Sequence, residues 1–345
     1  MPSKENENHL RGKPRPLLIG SVTLANNLVM APMAGITDLP FRALAKEGGA
    51  GLVCTEMVSA TALVHSDEKT RKIMTPGETE RPVSVQIFGS DAAVMAEAAR
   101  IAEQAGADIV DINFGCPVRK IVKSGAGVKL VENQGRMADI MEAVVRGVGI
   151  PVTIKIRTGL TPDENIAPVI VRLAQESGIA MVALHGRPAS AGHTGAADLI
   201  AIKSAVAAAS IPVVGNGGIT DAAGAADFLD KTGCSGLMIG RAAIGDPGLF
   251  RRIETYLSTG QFLPLPSWEE RLSLLRRHAE LSGRYYDERK GITVLRKVAP
   301  FYLKGLPNAA KTRDRFNRIV TLPELDALIE DIWKSPYFLE AASGD

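Results

Sequence analysis

Asp111-Ile112-Asn113-Phe114-Gly115-Cys116-Pro117 is the point where an apolar run, Ile109 to Ile112, breaks off in a glycine, a cysteine and a proline. A buried parallel strand reads as a short apolar run, and the chain leaves it through a turn, where Gly115 tolerates any φ and Pro117 fixes its own. The stretch predicts a strand that delivers Cys116 onto a stiff loop and not onto a helix face. Position alone leaves two readings open: a reactive thiol at a strand end, or a small buried hydrophobe of the kind most free cysteines are.

Outward from this stretch one theme recurs between about residues 20 and 250: a short apolar run, a loop marked by Gly or Pro, then an alanine-rich helical pattern. Strands are predicted at Leu28 to Ala31, Leu52 to Thr55, Val83 to Ile87, Ile109 to Ile112, Val152 to Ile156, Met181 to Leu184, Val213 to Gly215 and Gly236 to Ile239. Helices are predicted between them, among others at Leu39 to Glu47, Ala92 to Gln104, Met137 to Val148, Ala167 to Glu176 and Ala222 to Lys231. Eight βα units in succession predict an α/β fold, the (β/α)₈ TIM barrel.

Composition narrows the function classes. The 345 residues are long enough for a sizeable core, and their net charge of +2 announces no polyanionic partner by itself. Three cysteines, Cys54, Cys116 and Cys234, lie far apart without a Cys-x-x-Cys, so neither a disulfide framework nor a metal site is indicated. Residues 1–16 mix charges of both signs and lack an apolar core, which predicts a flexible tail and not a signal peptide. The most apolar window, Leu17 to Ile36, carries Asn26, Asn27 and Pro32 and does not suit a membrane span. A cytoplasmic monomer is the expectation.

Barrels of this kind carry chemistry at the carboxyl ends of their strands. Those ends hold Pro32-Met33-Ala34-Gly35-Ile36-Thr37-Asp38, Gln86, Asn113 with Cys116, Lys155-Ile156-Arg157-Thr158-Gly159, His185-Gly186-Arg187, Asn216-Gly217-Gly218 and Gly240-Arg241. Period-two alternation puts Lys155 and Arg157 on one face. Glycines after strands seven and eight, with Arg241, suit a phosphate approached by backbone N–H groups, although a turn can need glycine for its own sake. Lys155 likewise has a plain reading, a strand-end amine reaching water.

After residue 260 the repeat stops at Pro264 and Pro266, and helical spacing takes over at Trp268 to Tyr285, Thr293 to Leu303, Ala309 to Val320 and Leu322 to Trp333. The predicted organisation is a barrel at 17–260 followed by a small all-helical domain at 261–345. Between Arg284 and Arg318 ten Lys/Arg face three Asp/Glu, interleaved with Tyr285, Tyr286, Phe301, Tyr302 and Phe316. Cations with aromatics suit an RNA backbone with some stacking; a solvated helical surface over an aromatic core fits the same pattern.

Together these motifs resemble the flavin-dependent tRNA-dihydrouridine synthases, most closely the bacterial B-type branch also labelled nitrogen-regulation proteins. The likeness covers about residues 18 to 335 in the family's order. It implies an FMN-binding barrel with a helical tRNA-binding domain, and reduction of the 5,6 double bond of a D-loop uridine with NADPH as electron donor. It assigns Pro32, Met33 and Ala34 to the flavin edge, Gln86 to its polar rim, Lys155 beside its pyrimidine side and His185 to the lining of the cofactor site. Asn216, Gly217, Gly218, Gly240 and Arg241 take the phosphate, and Cys116 is the proton donor. Asn113, Arg157 and Arg187 are assigned to the substrate. One departure is visible: many relatives have an acidic residue where Gly218 stands. Two competing classes remain, an FMN-dependent dehydrogenase or reductase of a free pyrimidine and a non-catalytic RNA-binding regulator.

Overall fold

Alternation along the strands sorts their side chains into two cores. In the computed structural model, which describes residues 16–65 and 67–336, the strands are β1 (Leu28–Met30), β2 (Leu52–Cys54), β3 (Val83–Phe88), β4 (Ile109–Asn113), β5 (Val152–Arg157), β6 (Met181–His185), β7 (Val213–Asn216) and β8 (Gly236–Ile239). All are parallel to their neighbours, β1 lies between β8 and β2, and pairing of β2 with β3 closes the ring. Each predicted strand is present to within a residue or so at its ends. The expected tail lies almost wholly outside the described residues, as do the last nine residues of the helical segment.

Outward-facing Val85, Val110, Ile112, Ile154, Ile156, Val182, Leu184 and Leu237 pack under the surrounding helices in the larger apolar cluster. Inward-facing Val29, Leu52, Cys54, Ile109, Met181, Ala183, Val214 and Met238 form the smaller one. An antiparallel hairpin, Leu17–Ile19 with Val22–Leu24, adds Leu17, Ile19 and Leu24 to this inner cluster, and Gly20 at its turn lies against Pro151 and Ala180 just ahead of β5 and β6. The apolar start of the window judged unsuited to a membrane thus plugs the amino-terminal end of the barrel. No helix among the described residues is long and apolar enough to cross a membrane.

Aspartates start four of the barrel helices. Asp38, Asp91, Asp198 and Asp221 each accept a backbone N–H of the first turn, at helices Leu39–Glu47, Ala92–Gln104, Leu199–Ala207 and Ala222–Thr232. Each cap is worth roughly 1 kcal/mol and fixes where a strand-end loop stops.

The helices after residue 260 share the barrel's outer apolar cluster, with Tyr302, Leu303, Phe316, Leu325 and Leu328 joined to Phe41 and Phe250. Phe41 meets His278 at 5.8 Å between ring centres, and His278 Nδ1 lies 2.9 Å from the Tyr302 hydroxyl. Tyr286 donates its hydroxyl proton to Asp38 at 3.0 Å. The expected helix Thr293 to Leu303 is broken into Glu288–Val294, a 3₁₀ turn at Leu295–Lys297, and Ala299–Tyr302. Pro300, which lacks an N–H, is accommodated only in the first turn of the last piece. The helix expected at Ala309 to Val320 ends at Phe316.

Candidate active site

At the carboxyl end of the barrel the inner face turns polar. Parallel register sets Gln86 beside Asp111, Asn113 beside Lys155, His185 beside both Arg157 and Asn216, and Asn216 beside Met238. A ring of polar side chains therefore sits above the apolar plug.

On one side of the mouth is the thiol. Asn113 Oδ1 accepts the backbone N–H groups of Gly115 at 3.2 Å and Cys116 at 2.9 Å. Two further bonds clamp the same loop, Val128 N–H to the Cys116 carbonyl at 3.1 Å and Arg157 Nε to the Gly115 carbonyl at 2.9 Å. Cys116 is half-buried, whereas Cys54 and Cys234 are buried. Burial raises the pKa of the Cys116 thiol, with Arg157 and Lys155 opposing the rise. It is a protonated thiol at neutral pH, reachable from the mouth.

Below it runs a polar ladder. Asn113 Nδ2 donates to Gln86 Oε1 at 2.9 Å, and Gln86 Nε2 donates to Asp111 Oδ2 at 2.6 Å. Thr153 donates to Asp111 Oδ1 at 2.6 Å. Burial raises the Asp111 pKa, against hydrogen bonds from Gln86 and Thr153 and the charge of Lys155. The sequence reading includes Gln86 and Asn113 and misses Asp111 and Thr153; the available signal is an acidic residue in phase with Asn113 inside an otherwise apolar strand.

On the other side is an anion cradle. Gly217 and Gly218 have φ of +128° and +79°, values that L side chains rarely adopt, and a Cβ on Gly217 would lie 3.1 Å from Ala197 Cβ and 3.4 Å from Arg187 Nη1. Arg187 is held by two bonds to the Gly195 carbonyl, at 2.9 and 2.7 Å, and Arg241 donates to the His193 carbonyl at 3.3 Å. Among the described residues no ion pair to a carboxylate involves Lys155, Arg157, Arg187 or Arg241. Burial, then Arg157, Arg241, Lys155 and Arg187 in turn, depress the pKa of His193. His185 is lowered to about 2, first by burial and then by Lys155, Arg157 and Arg187, so its ring is neutral. Its buried Nδ1 has no hydrogen-bond partner among the described residues. Clustered cations beside glycine backbone and an unpaired buried nitrogen are what a phosphate-bearing ligand would complement.

Lys155 joins the two sides, its Nζ donating to Asn216 Oδ1 at 3.3 Å while Asn216 Nδ2 donates to the Met238 carbonyl at 2.7 Å. Burial, followed by Arg157, lowers the Lys155 amine to about 8, with Asp111 opposing. Met33 closes the ring near Gly240, whose Cβ would lie 3.7 Å from Met33 Sδ; Pro32 is half-buried and Ala34 exposed.

Two of the residues assigned to the substrate have further contacts. Arg157 is expected at the substrate, yet Nε and Nη1 bind the backbone carbonyls of Gly115, Pro188 at 3.0 Å and Gly192 at 2.8 Å, so it braces the loops after β4 and β6. Arg187, also expected at the substrate, lies beside Gly217 and Gly218 on the anion side. The aromatics of the basic segment divide as well: Tyr302 and Phe316 are core, and Tyr285 and Tyr286 stack edge-on against each other beneath Lys72. Phe301 alone of the five is exposed, because apolar rings at helical spacing were needed to seat the helices on the barrel.

The fold and mouth define a (β/α)₈-barrel protein with a thiol loop after its fourth strand and an anion cradle after its sixth to eighth. The chain belongs to the dihydrouridine synthase family, whose model matches residues 29–335. It is 42% identical over 302 residues to tRNA-dihydrouridine synthase B of Pseudomonas aeruginosa, covering 87% of this chain and 91% of that one. It is 41% identical over 300 residues to a probable tRNA-dihydrouridine synthase of Rickettsia bellii, covering 87% and 92%. Among solved structures it resembles the old yellow enzyme homologue of Zymomonas mobilis, with a TM-score of 0.55 and 18% identity over 73% of this chain and 93% of that one. Histamine dehydrogenase from Rhizobium sp. 4-9 also has a TM-score of 0.55, with 15% identity over 77% of this chain and half of that longer one. These two likenesses are of fold.

Proposed function

We propose that the protein is an FMN-dependent tRNA-dihydrouridine synthase that reduces the 5,6 double bond of a D-loop uridine, with NADPH as electron donor and Cys116 as proton donor. The observation that carries this reading is the place of Lys155, in register with Asn113 beside the thiol loop and bonded through Nζ to Asn216 toward the anion cradle.

The residues fit FMN. Gly217, Gly218, Gly240, Arg187 and Arg241 would hold its phosphate, with His185 and Asn216 at the rim and Met33, Gln86 and Lys155 around the ring. When bound, reduced FMN supplies a hydride to one carbon of the uracil double bond. Cys116 gives the neighbouring carbon its proton, the thiol burial keeping that proton in place at neutral pH. Lys155 would place a positive charge beside the ring of a bound flavin. The uridine must leave its stack to reach this mouth, and the exposed cations between Arg284 and Arg318 offset that cost by binding phosphates. This division of labour makes the segment after residue 260 the RNA-capturing part.

Two measurements test the reading together. The chromophore released from purified protein should have the mass of FMN, and tRNA from a deletion strain should lack dihydrouridine at one D-loop position. Colourless protein that cannot be loaded with FMN, or an unchanged dihydrouridine map, would overturn it.

A further inference from the structure

We infer that Asp111 is a positioning residue for Cys116, acting through a one-way chain of side-chain amides. Asp111 is 3% exposed on β4, one inward position below Asn113. Both of its oxygens accept hydrogen bonds, one from Thr153 and one from Gln86, each at 2.6 Å. With Thr153 donating to one oxygen and Gln86 Nε2 to the other, Asp111 serves as the acceptor at the foot of the chain, and Gln86 has its Nε2 down and its Oε1 up. The upturned Oε1 accepts Asn113 Nδ2 at 2.9 Å, which in turn aims Asn113 Oδ1 at the N–H groups of Gly115 and Cys116. Each amide inherits its orientation from the one beneath it. The polarity of the whole chain, from buried carboxylate to thiol loop, is set by its lowest member.

The inference deepens the proposed function and rests on it for the role of the thiol, but its logic concerns hydrogen-bond direction alone. Replacing Asp111 with Asn offers Gln86 a donor. Gln86 can then turn its Oε1 down, bringing Nε2 against Asn113 Nδ2, and Asn113 answers by turning its oxygen away from the loop. Two N–H groups that had an acceptor then face an NH₂ group. In the double variant Asp111→Asn/Gln86→Glu the carboxylate moves up one place. It accepts from the introduced amide below and from Asn113 above, and the original orientation of Asn113 returns.

The experiment follows alkylation of Cys116 by iodoacetamide in the full-length protein as purified, mapped by mass spectrometry, with buried Cys54 and Cys234 as internal references. Asp111→Asn should speed alkylation on the order of tenfold, the effect of releasing two backbone hydrogen bonds of ordinary net strength. The same variant should keep its KM for tRNA and lose about 10²-fold in kcat, as a small misplacement of a reacting group does. The double variant should return alkylation to the wild-type rate. Wild-type alkylation in Asp111→Asn overturns the inference. So does a double variant that alkylates like the single one or does not fold, and this second arm decides the matter if Asp111→Asn alone is not recovered folded. If alkylation follows the expected pattern but no form of the protein reduces tRNA, the chain of amides stands and the proposed function fails.

Discussion

Lys155 on β5 and Asn216 on β7 meet across the barrel mouth, Nζ to Oδ1 at 3.3 Å. With Asn216 fixed to the Met238 carbonyl, the amine is held at a defined point between the thiol loop and the glycine loops. Burial lowers its pKa to about 8 from an ordinary 10.5, so flavin-free protein loses this charge as pH rises through about 8. An anionic ligand favours the protonated amine. The affinity for FMN should therefore fall above that pH, by up to about tenfold per pH unit for one coupled proton. Titration of flavin-free protein with FMN across this range checks it: Lys155→Met should bind more weakly at neutral pH and show no comparable slope.

The same depressed pKa has a consequence for stability whose sign is fixed. Between about 8 and 10.5 the folded protein holds fewer protons at this site than the unfolded chain does, so stability rises with pH through that window. Lys155→Met removes a buried charge and should be the more stable form below pH 8, the difference shrinking toward pH 10.5. Urea unfolding of both flavin-free proteins at the two ends of the window measures it.

Cys116→Ala should fold, hold flavin and accept electrons normally, yet reduce tRNA roughly 10²- to 10⁴-fold more slowly, the usual contribution of a positioned acid. Single-turnover rates decide; turnover near that of the wild type would assign the proton to another group.

Gly217→Val should give folded but colourless protein. The residue sits at φ +128° with Ala197 and Arg187 close to where its Cβ would go. A side chain there costs about 1–3 kcal/mol in backbone strain and fills the cradle. Absorbance of the purified variant and its failure to bind added FMN are the readouts, with circular dichroism to confirm folding.

Deleting the helices after residue 260 would uncover Phe41, whose ring meets that of His278 at 5.8 Å between centres. Charge removal is the cleaner probe of RNA capture. Arg289, Lys297, Lys304 and Lys311 are exposed, and none is in an ion pair among the described residues. Changing all four to Ala should reduce the magnitude of the log–log salt slope of tRNA affinity by about 3, taking roughly 0.7 to 0.9 per phosphate contact. An unchanged slope would make the segment a solvated surface only.

The barrel was legible because its signals are local. Each strand is a short apolar run ended by Gly, Pro or a polar residue, and each strand-end motif falls at the mouth that such folds use for chemistry. What the sequence did not disclose depends on contacts between distant segments. The carbonyls that Arg157 binds belong to Pro188 and Gly192, in a loop that nothing in the sequence around Arg157 announces. Tyr302 looks like a stacking platform until His278 and Phe41 are found around it. Asp111 is hidden by its apolar neighbours, and its partners Gln86 and Thr153 come from the strands on either side.

The proposal that a single mouth holds both a flavin and a proton-donating thiol for a uridine carried by tRNA is open to an anaerobic test. Protein loaded with FMN and reduced by NADPH is mixed with unmodified tRNA transcript, and the return of oxidised-flavin absorbance is followed. The expected result is reoxidation coupled one-to-one to dihydrouridine in the D loop, abolished or slowed by orders of magnitude in Cys116→Ala and not produced by free uridine. Flavin that tRNA leaves reduced, or that free uridine reoxidises equally well, would contradict it.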